Sequence, residues 1–138
     1  MPPVKILKHI KSSWTQASRV VERPWGFETR WSAHNSVAGK ILNINAGERT
    51  SLKYNTLKDE CLFLLAGKIK IQYGNEHTLK DPVQNPFQYG VLTAGESLSV
   101  QSGFPYRITA IEDSQVIEIS EARFNSKTIR IADDYGRK

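Results

Sequence analysis

The sequence predicts an all-β domain, either a sandwich or a barrel. Short segments of alternating apolar and polar residues recur along the chain, and glycine, proline or an Asp-Ser pair separates them. Strands at such short intervals, joined by glycine turns, are typical of β-sandwiches and barrels. The length of 138 residues suits one domain with one hydrophobic core.

The N-terminal residues 1–20 carry the only helical pattern, and it is weak. Val4, Ile6, Ile10 and Trp14 are spaced loosely at three and four residues, and two prolines precede them. A Pro-Gly turn follows near residue 25. We therefore divide the chain into an N-terminal arm, residues 1–21, which is partly helical, and a β domain, residues 22–138.

The predicted strands of the β domain follow from alternation or from continuous apolar runs. They cover residues 37–44, 61–65, 68–73, 89–92, 98–100, 107–111 and 116–119. The run 61–65 is apolar throughout, which predicts a strand buried on both faces, with Cys61 as a small core residue. Residues 77–88 hold two prolines and predict a loop.

Charge and composition narrow the classes of partner. The net charge of +5 favours anionic partners such as phosphorylated metabolites or nucleotides. No zinc-finger, helix-turn-helix or RNA-recognition pattern is present, so nucleic acid is not expected as a partner. No apolar run approaches the roughly 20 residues that span a bilayer, and one cysteine allows no internal disulfide. We expect a cytoplasmic protein.

Four motifs occur in order along the chain. The first is Glu22-Arg23-Pro24-Trp25-Gly26, and the second runs from Ala46-Gly47-Glu48-Arg49 through Asn55 and Glu60 to Gly67. The third is Ile117-Glu118-Ile119. The fourth is the terminal run from Arg130 to Arg137, which ends in Asp-Asp-Tyr-Gly-Arg.

This series resembles the cupins, and in particular the cupin domain of type II mannose-6-phosphate isomerases, which is often fused to a mannose-1-phosphate guanylyltransferase. The resemblance covers residues 22–137 and implies a jelly-roll barrel. It also implies aldose–ketose isomerisation of a sugar phosphate, in carbohydrate metabolism or polysaccharide biosynthesis. Lys40 falls where the family has a lysine. The resemblance is compatible with a homodimer.

The chain departs from the family at the metal-binding positions. There the family has glutamine or histidine, then histidine, glutamate and histidine, which hold a divalent metal such as zinc. The corresponding residues here are Lys53, Asn55, Glu60 and Tyr106. An ammonium, an amide and a phenol are poor ligands for zinc or iron, so we predict no metal cofactor. Lys53 would supply the positive charge in place of the metal, paired with Glu60.

The resemblance assigns roles to the remaining candidates. Glu60 would act as general base, with Lys53 as electrophile and Tyr106 beside them in the catalytic group. The substrate-binding residues would be Asn55, Arg107, Arg137 and Lys40. The two arginines would hold the phosphate, because guanidinium groups suit phosphate oxygens.

Three functions remain open at this point. The first is a sugar-phosphate isomerase of the mannose-6-phosphate type. The second is a metal-free isomerase or epimerase of nucleotide sugars. The third is a barrel that binds a sugar phosphate without catalysis, since three of the four metal positions have changed. The fold alone does not choose between an enzyme and a binding protein.

Overall fold

The computed structural model describes residues 18–33, 36–122 and 125–138, and these residues form eleven antiparallel strands. The strands are β1 (Arg19–Arg23), β2 (Gly26–Ala33), β3 (Val37–Ile44), β4 (Leu52–Asn55), β5 (Glu60–Ala66), β6 (Lys68–Tyr73), β7 (Gln88–Thr93), β8 (Ser97–Val100), β9 (Tyr106–Ala110), β10 (Ser114–Glu121) and β11 (Thr128–Ala132). None of the described residues lies in a helix, so none of them forms a helical span of a bilayer.

The strands build two sheets that enclose the core. One sheet has the order β1-β2-β3-β10-β5-β8, and the other has the order β11-β4-β9-β6-β7. The core between them consists mostly of aliphatic side chains. These are Leu42, Ile44, Leu62, Leu64, Ile69, Ile71, Val100, Ile108, Ala110 and Val116, together with the aromatic rings of Trp25 and Tyr106. The predicted jelly-roll architecture is confirmed.

Gly67 alone separates β5 from β6, and the chain passes there from the six-stranded sheet to the five-stranded sheet. Its φ angle is +95°, a left-handed conformation that L side chains rarely adopt. A Cβ atom at this position would also lie 2.5 Å from the carbonyl oxygen of Asp113. The turn therefore requires glycine on both conformational and steric grounds.

The strand prediction for residues 61–65 is correct in position but wrong in burial. Leu62 and Leu64 are buried, whereas Phe63 and Leu65 are 39% and 46% exposed. Cys61 is exposed as well, so it is not a core residue. The reason is the pleat, since alternate side chains of β5 point to opposite faces and the outer face is apolar too.

Strand β1 crosses the expected boundary between arm and β domain. Its residues pair with β2 in a hairpin around the Pro24-Trp25 turn, so Arg19 and Val20 belong to the sheet. The remainder of the helical pattern, up to residue 17, lies outside the described residues.

Candidate active site

The interior of the barrel changes from apolar to polar along several neighbouring strands. On β3, the inward residues Leu42 and Ile44 are apolar, whereas Lys40 is charged. On β10, Val116 is opposite Leu42, and Glu118 is opposite Lys40. Because neighbouring strands make the change at matching register, the charged side chains collect at one end of the barrel.

This end of the barrel contains a cavity of about 230 Å³. Its walls carry six cationic side chains, Arg23, Arg30, Lys40, Lys53, Arg130 and Arg137. They also carry two carboxyl groups, those of Glu28 and Glu118. The cavity thus has an excess of four positive charges when both carboxyl groups are ionised.

Glu28 anchors the cations of the six-stranded sheet. Its carboxyl group is buried and forms a hydrogen-bonded ion pair with Arg23. Lys40 Nζ lies 3.3 Å from one carboxylate oxygen, and Arg30 Nη2 lies 3.6 Å from the other. Burial disfavours the ionised form of Glu28, but the three cations outweigh it and lower the pKa of this group.

Two guanidinium groups of the cavity wall have unused hydrogen-bonding capacity. The Nε atoms of Arg30 and Arg130 are buried and have no hydrogen-bond partner among the described residues. A buried donor without an acceptor is unfavourable by about 1–3 kcal/mol. An anionic oxygen in the cavity would supply the missing acceptors.

Glu60 lies at the centre of a second polar group beside the cavity. Asn55 Nδ2 donates to Glu60 Oε1 over 2.6 Å, and the Tyr106 hydroxyl donates to the same oxygen over 2.8 Å. The Thr128 hydroxyl donates to Asn55 Oδ1 over 3.1 Å, which fixes the orientation of the amide. All three predicted residues, Asn55, Glu60 and Tyr106, are therefore joined in one buried network.

The carboxyl groups of Glu60 and Glu118 are hydrogen-bonded to each other. Burial and the negative charge of Glu118 raise the pKa of Glu60 to about 7. Burial also opposes ionisation of Glu118, but the hydrogen bond from Glu60 and the charge of Lys53 more than offset it and lower the pKa of Glu118. The two shifts are opposite in sign, so the proton of the pair resides preferentially on Glu60 and the negative charge on Glu118.

Lys53 lines the cavity opposite this pair. Its ammonium lies 5.9 Å from the centre of the Tyr106 ring, and it forms no ion pair within 4.0 Å in the part of the chain that the structure describes. Burial lowers the pKa of Lys53, while the charges of Glu118 and, to a lesser extent, Glu60 favour its ammonium form. Lys53 thus interacts with the carboxyl pair through space, and more with Glu118 than with Glu60.

The structure brings most of the predicted site residues together, but in two layers. Lys40, Lys53 and Arg137 line the cavity. The network formed by Asn55, Glu60 and Tyr106 lies behind the wall, and these three residues are not part of its lining. Arg137 is held in place by Asp133, which accepts hydrogen bonds from its side chain and its backbone N–H at 2.7–3.3 Å.

Arg107 is placed elsewhere, so the geometry does not support its predicted role on the phosphate. Its guanidinium donates to the backbone carbonyls of Thr50 and Ala132, over 2.8 and 3.1 Å, and lies 3.5 Å from Asp134. It is adjacent to Tyr106 on a strand and therefore points to the opposite face of the sheet. These contacts tie the C-terminal segment to the barrel.

Five charged residues of the cavity wall were not singled out as site residues from the sequence. They are Arg23, Glu28, Arg30, Glu118 and Arg130. A signal exists for Glu118, because a charged residue between Ile117 and Ile119 interrupts an apolar strand. Glu28 and Arg30 lie on β2, whose sequence has no clear alternation of apolar and polar residues, so the sequence does not predict their inward orientation.

The donor set does not fit the divalent metal that the family resemblance implies. Asn55 directs its amide N–H groups, not its oxygen, at Glu60. Lys53 contributes a positive charge, and the Tyr106 phenol is a proton donor whose pKa is raised by burial and by both glutamates. No cluster of three histidine, cysteine or acidic ligands occurs within the described ranges.

Comparisons with solved structures identify the fold. The chain is similar to a vicilin from Solanum melongena, with 21% identity and a TM-score of 0.61 over 71% of this chain and 26% of that one. KdgF from Halomonas sp. has 14% identity and a TM-score of 0.60 over 78% of this chain and 89% of that one. An oxalate decarboxylase variant from B. subtilis has 12% identity and a TM-score of 0.67 over 83% of this chain and 30% of that one.

These similarities establish a cupin-type jelly-roll barrel. The chain spans about a quarter of the vicilin and most of KdgF. Neither a scan against protein-family models nor a search of curated proteins finds a match. The fold and the site together define a cupin-type barrel with a cationic cavity and an adjacent carboxyl pair.

Proposed function

We propose that the cavity binds a monosaccharide phosphate and that the barrel interconverts its aldose and ketose forms, in the manner of mannose-6-phosphate isomerisation. The observation that carries the proposal is the convergence of six cations on one cavity that holds only two carboxyl groups. Two guanidinium Nε atoms there lack acceptors among the described residues, and phosphate oxygens are well matched to guanidinium donors.

The size of the cavity favours a small ligand. A volume of about 230 Å³ is below the roughly 300–1,000 Å³ of pockets for drug-sized molecules. A monosaccharide phosphate suits this space better than a nucleotide sugar does. The related fold of the Solanum melongena vicilin supports an anionic ligand, because different anionic ligands are described in its structurally similar pockets.

The isomerisation requires a base, a group that polarises the carbonyl and a clamp for the phosphate. The carboxyl pair of Glu60 and Glu118 supplies the base. The Lys53 ammonium supplies the positive charge at the carbonyl oxygen. Arg130, on the edge strand β11, and Arg137, in the segment that follows this strand, supply the phosphate clamp in place of the predicted Arg107.

Binding without catalysis is the second candidate function. The observation that favours it is that Lys53, Asn55 and Tyr106 occupy three of the four positions at which the resemblance implies metal ligands. The two candidates share the binding step and differ only in turnover, so one preparation distinguishes them.

The test combines calorimetry with NMR. We expect mannose 6-phosphate and fructose 6-phosphate to bind more tightly than mannose by at least tenfold, and to interconvert in the NMR tube. Arg130→Gln should weaken binding of both phosphates, whereas Arg19→Gln, an exposed residue of β1, should not. Equal binding of mannose and its phosphate would refute the proposal, and binding without interconversion would leave only the binding function.

A further inference from the structure

Glu60 and Glu118 are unequally placed with respect to the cavity. Glu118 forms part of the wall, together with Lys40 and Lys53, whereas Glu60 is not part of the lining. Both residues face inward from neighbouring strands, since Ser120 is opposite Glu60 and Glu118 is opposite Leu62. A ligand in the cavity therefore meets the carboxyl group of Glu118 first.

The hydrogen bonds of Glu60 point to a supporting position. Asn55 and Tyr106 both donate to its Oε1 atom, and Glu118 contacts its carboxyl group as well. These bonds hold the carboxyl group of Glu60 in one orientation. Glu118, in contrast, has Lys40 Nζ at 3.8 Å from its Oε2 atom, and this cation also lines the cavity.

We propose that Glu118 is the catalytic carboxylate that moves the proton between the two carbons of the sugar, and that Glu60 is a positioning residue that acts through Glu118. The inference rests on the proposed function and names the residue that touches the substrate. It replaces the assignment of the base to Glu60 that the family resemblance suggests.

In the proposed reaction, only Glu118 and Lys53 exchange protons with the substrate. The Glu118 carboxylate takes the proton from C2 of the open-chain aldose, and the C–H electron pair forms the C1–C2 double bond. The π electrons of the C1 carbonyl move to O1, which takes a proton from the Lys53 ammonium. Glu118 then returns its proton to C1 while the C2 hydroxyl gives its proton to Lys53, which leaves the ketose and regenerates both groups.

Glu60 contributes a hydrogen-bond donor, and its proton is not transferred to the substrate at any step. Its proton, shared with Glu118, orients that carboxylate toward the substrate carbons and disperses its negative charge. A glutamine side chain offers the same donor and the same acceptor for Asn55 and Tyr106. Replacement of Glu60 by glutamine should therefore be tolerated, whereas the same replacement of Glu118 should not.

The experiment follows the exchange of the C2 proton of mannose 6-phosphate for deuterium in D₂O by NMR. Glu118→Gln should slow exchange at least a hundredfold, as expected for loss of a general base, while the Kd for mannose 6-phosphate changes less than threefold. Glu60→Gln should retain exchange within tenfold of wild type. Glu60→Met, which lacks the donor, should fall well below Glu60→Gln with little change in KM.

Two further variants keep the test decisive. Glu118→Asp, which withdraws the carboxylate by one methylene, should recover part of the exchange that Glu118→Gln loses. Glu22→Gln, an exposed carboxyl group on β1, should match wild type. Exchange in Glu118→Gln equal to wild type, or its loss in Glu60→Gln alone, would overturn the inference. Binding with no exchange in the wild-type protein would instead overturn the proposed isomerisation itself.

Discussion

The Tyr106 hydroxyl donates a hydrogen bond to Glu60 over 2.8 Å, across 46 residues of sequence and from one sheet to the other. Both groups are buried, so each satisfies a hydrogen-bonding requirement of the other. This contact joins the two sheets at the boundary between the apolar core and the polar cavity. Its removal should therefore affect stability directly.

Tyr106→Phe should lower the free energy of unfolding by about 1–2 kcal/mol, because one donor to a buried carboxyl group is lost. Urea unfolding measures the difference. Tyr89→Phe is the matched control, since Tyr89 is 58% exposed on the outer strand β7. Equal effects of the two substitutions would contradict the contact.

Glu60→Gln should change the pH dependence of stability. The pKa of Glu60 is raised from the ordinary value of 4.5 to about 7, so the folded chain binds this proton more tightly than the unfolded chain. The contribution is fully present below pH 4.5 and is lost as the pH rises through about 7. Relative to wild type, Glu60→Gln should therefore gain stability between about pH 5 and 8, by at most about 1.4 kcal/mol per pH unit.

The measurement is urea unfolding of both proteins across this pH range. The carboxyl group of Glu28 has a lowered pKa and acts in the opposite sense, but it is common to both proteins and cancels in the difference. Glu118 interacts directly with Glu60, so the difference reports the titration of the two carboxyl groups together. A difference that does not vary with pH would show that Glu60 titrates normally.

Lys53 should be coupled more strongly to Glu118 than to Glu60. Double-mutant cycles with Lys53→Met would measure both couplings, one with Glu118→Gln and one with Glu60→Gln. We expect about 1 kcal/mol or more for the pair with Glu118, because the charge of Glu118 favours the Lys53 ammonium more than that of Glu60 does. A coupling energy that is larger with Glu60 than with Glu118 would instead support the direct pair of Lys53 and Glu60 that the sequence suggests.

Binding of a sugar phosphate should weaken as salt concentration rises. The cavity wall is cationic. Dissolved salt screens those of its charges that water reaches, with a Debye length of about 8 Å at physiological salt. Calorimetric titration of mannose 6-phosphate between low and high potassium chloride tests this. A Kd that is independent of salt would argue against an electrostatic site.

Gly67→Ala should be far more destabilising than Gly95→Ala. Both glycines have a φ angle of +95°, so both substitutions place alanine in a left-handed conformation. This conformation lowers the free energy of unfolding by roughly 1–2 kcal/mol. Only at position 67 does the new Cβ also meet Asp113 and Ser114, whereas nothing lies within 4 Å at position 95. Thermal unfolding of the two variants separates the steric effect from the conformational effect.

Alternation predicted the strands whose inward residues are apolar. The predicted strands at residues 68–73 and 37–44 are confirmed as β6 and β3. The sequence pattern does not predict the strands β1, β2, β4 and β11. In β2, the inward positions of the polar end are Glu28 and Arg30, so the pattern of hydrophobicity that identifies a half-buried strand is absent there.

The candidate site could be predicted in part for a related reason. Motif positions identify Asn55, Glu60 and Tyr106 as a group, and the structure joins them by hydrogen bonds. Which carboxyl group faces the cavity depends on the register between β5 and β10, which are separated by more than 45 residues. Local sequence carries no information on that register, so Glu118 could not be placed beside Glu60.

The position of β10 between β3 and β5 has a consequence for the kinetics of folding. The strand that carries Glu118 follows both of its neighbours at a long distance in sequence, so a large loop must close before it can pair with either of them. Domains dominated by such distant pairings fold in roughly milliseconds to seconds. The cationic cavity should therefore be completed only once these distant strands have paired, so its formation should share the slow rate of folding of the whole barrel.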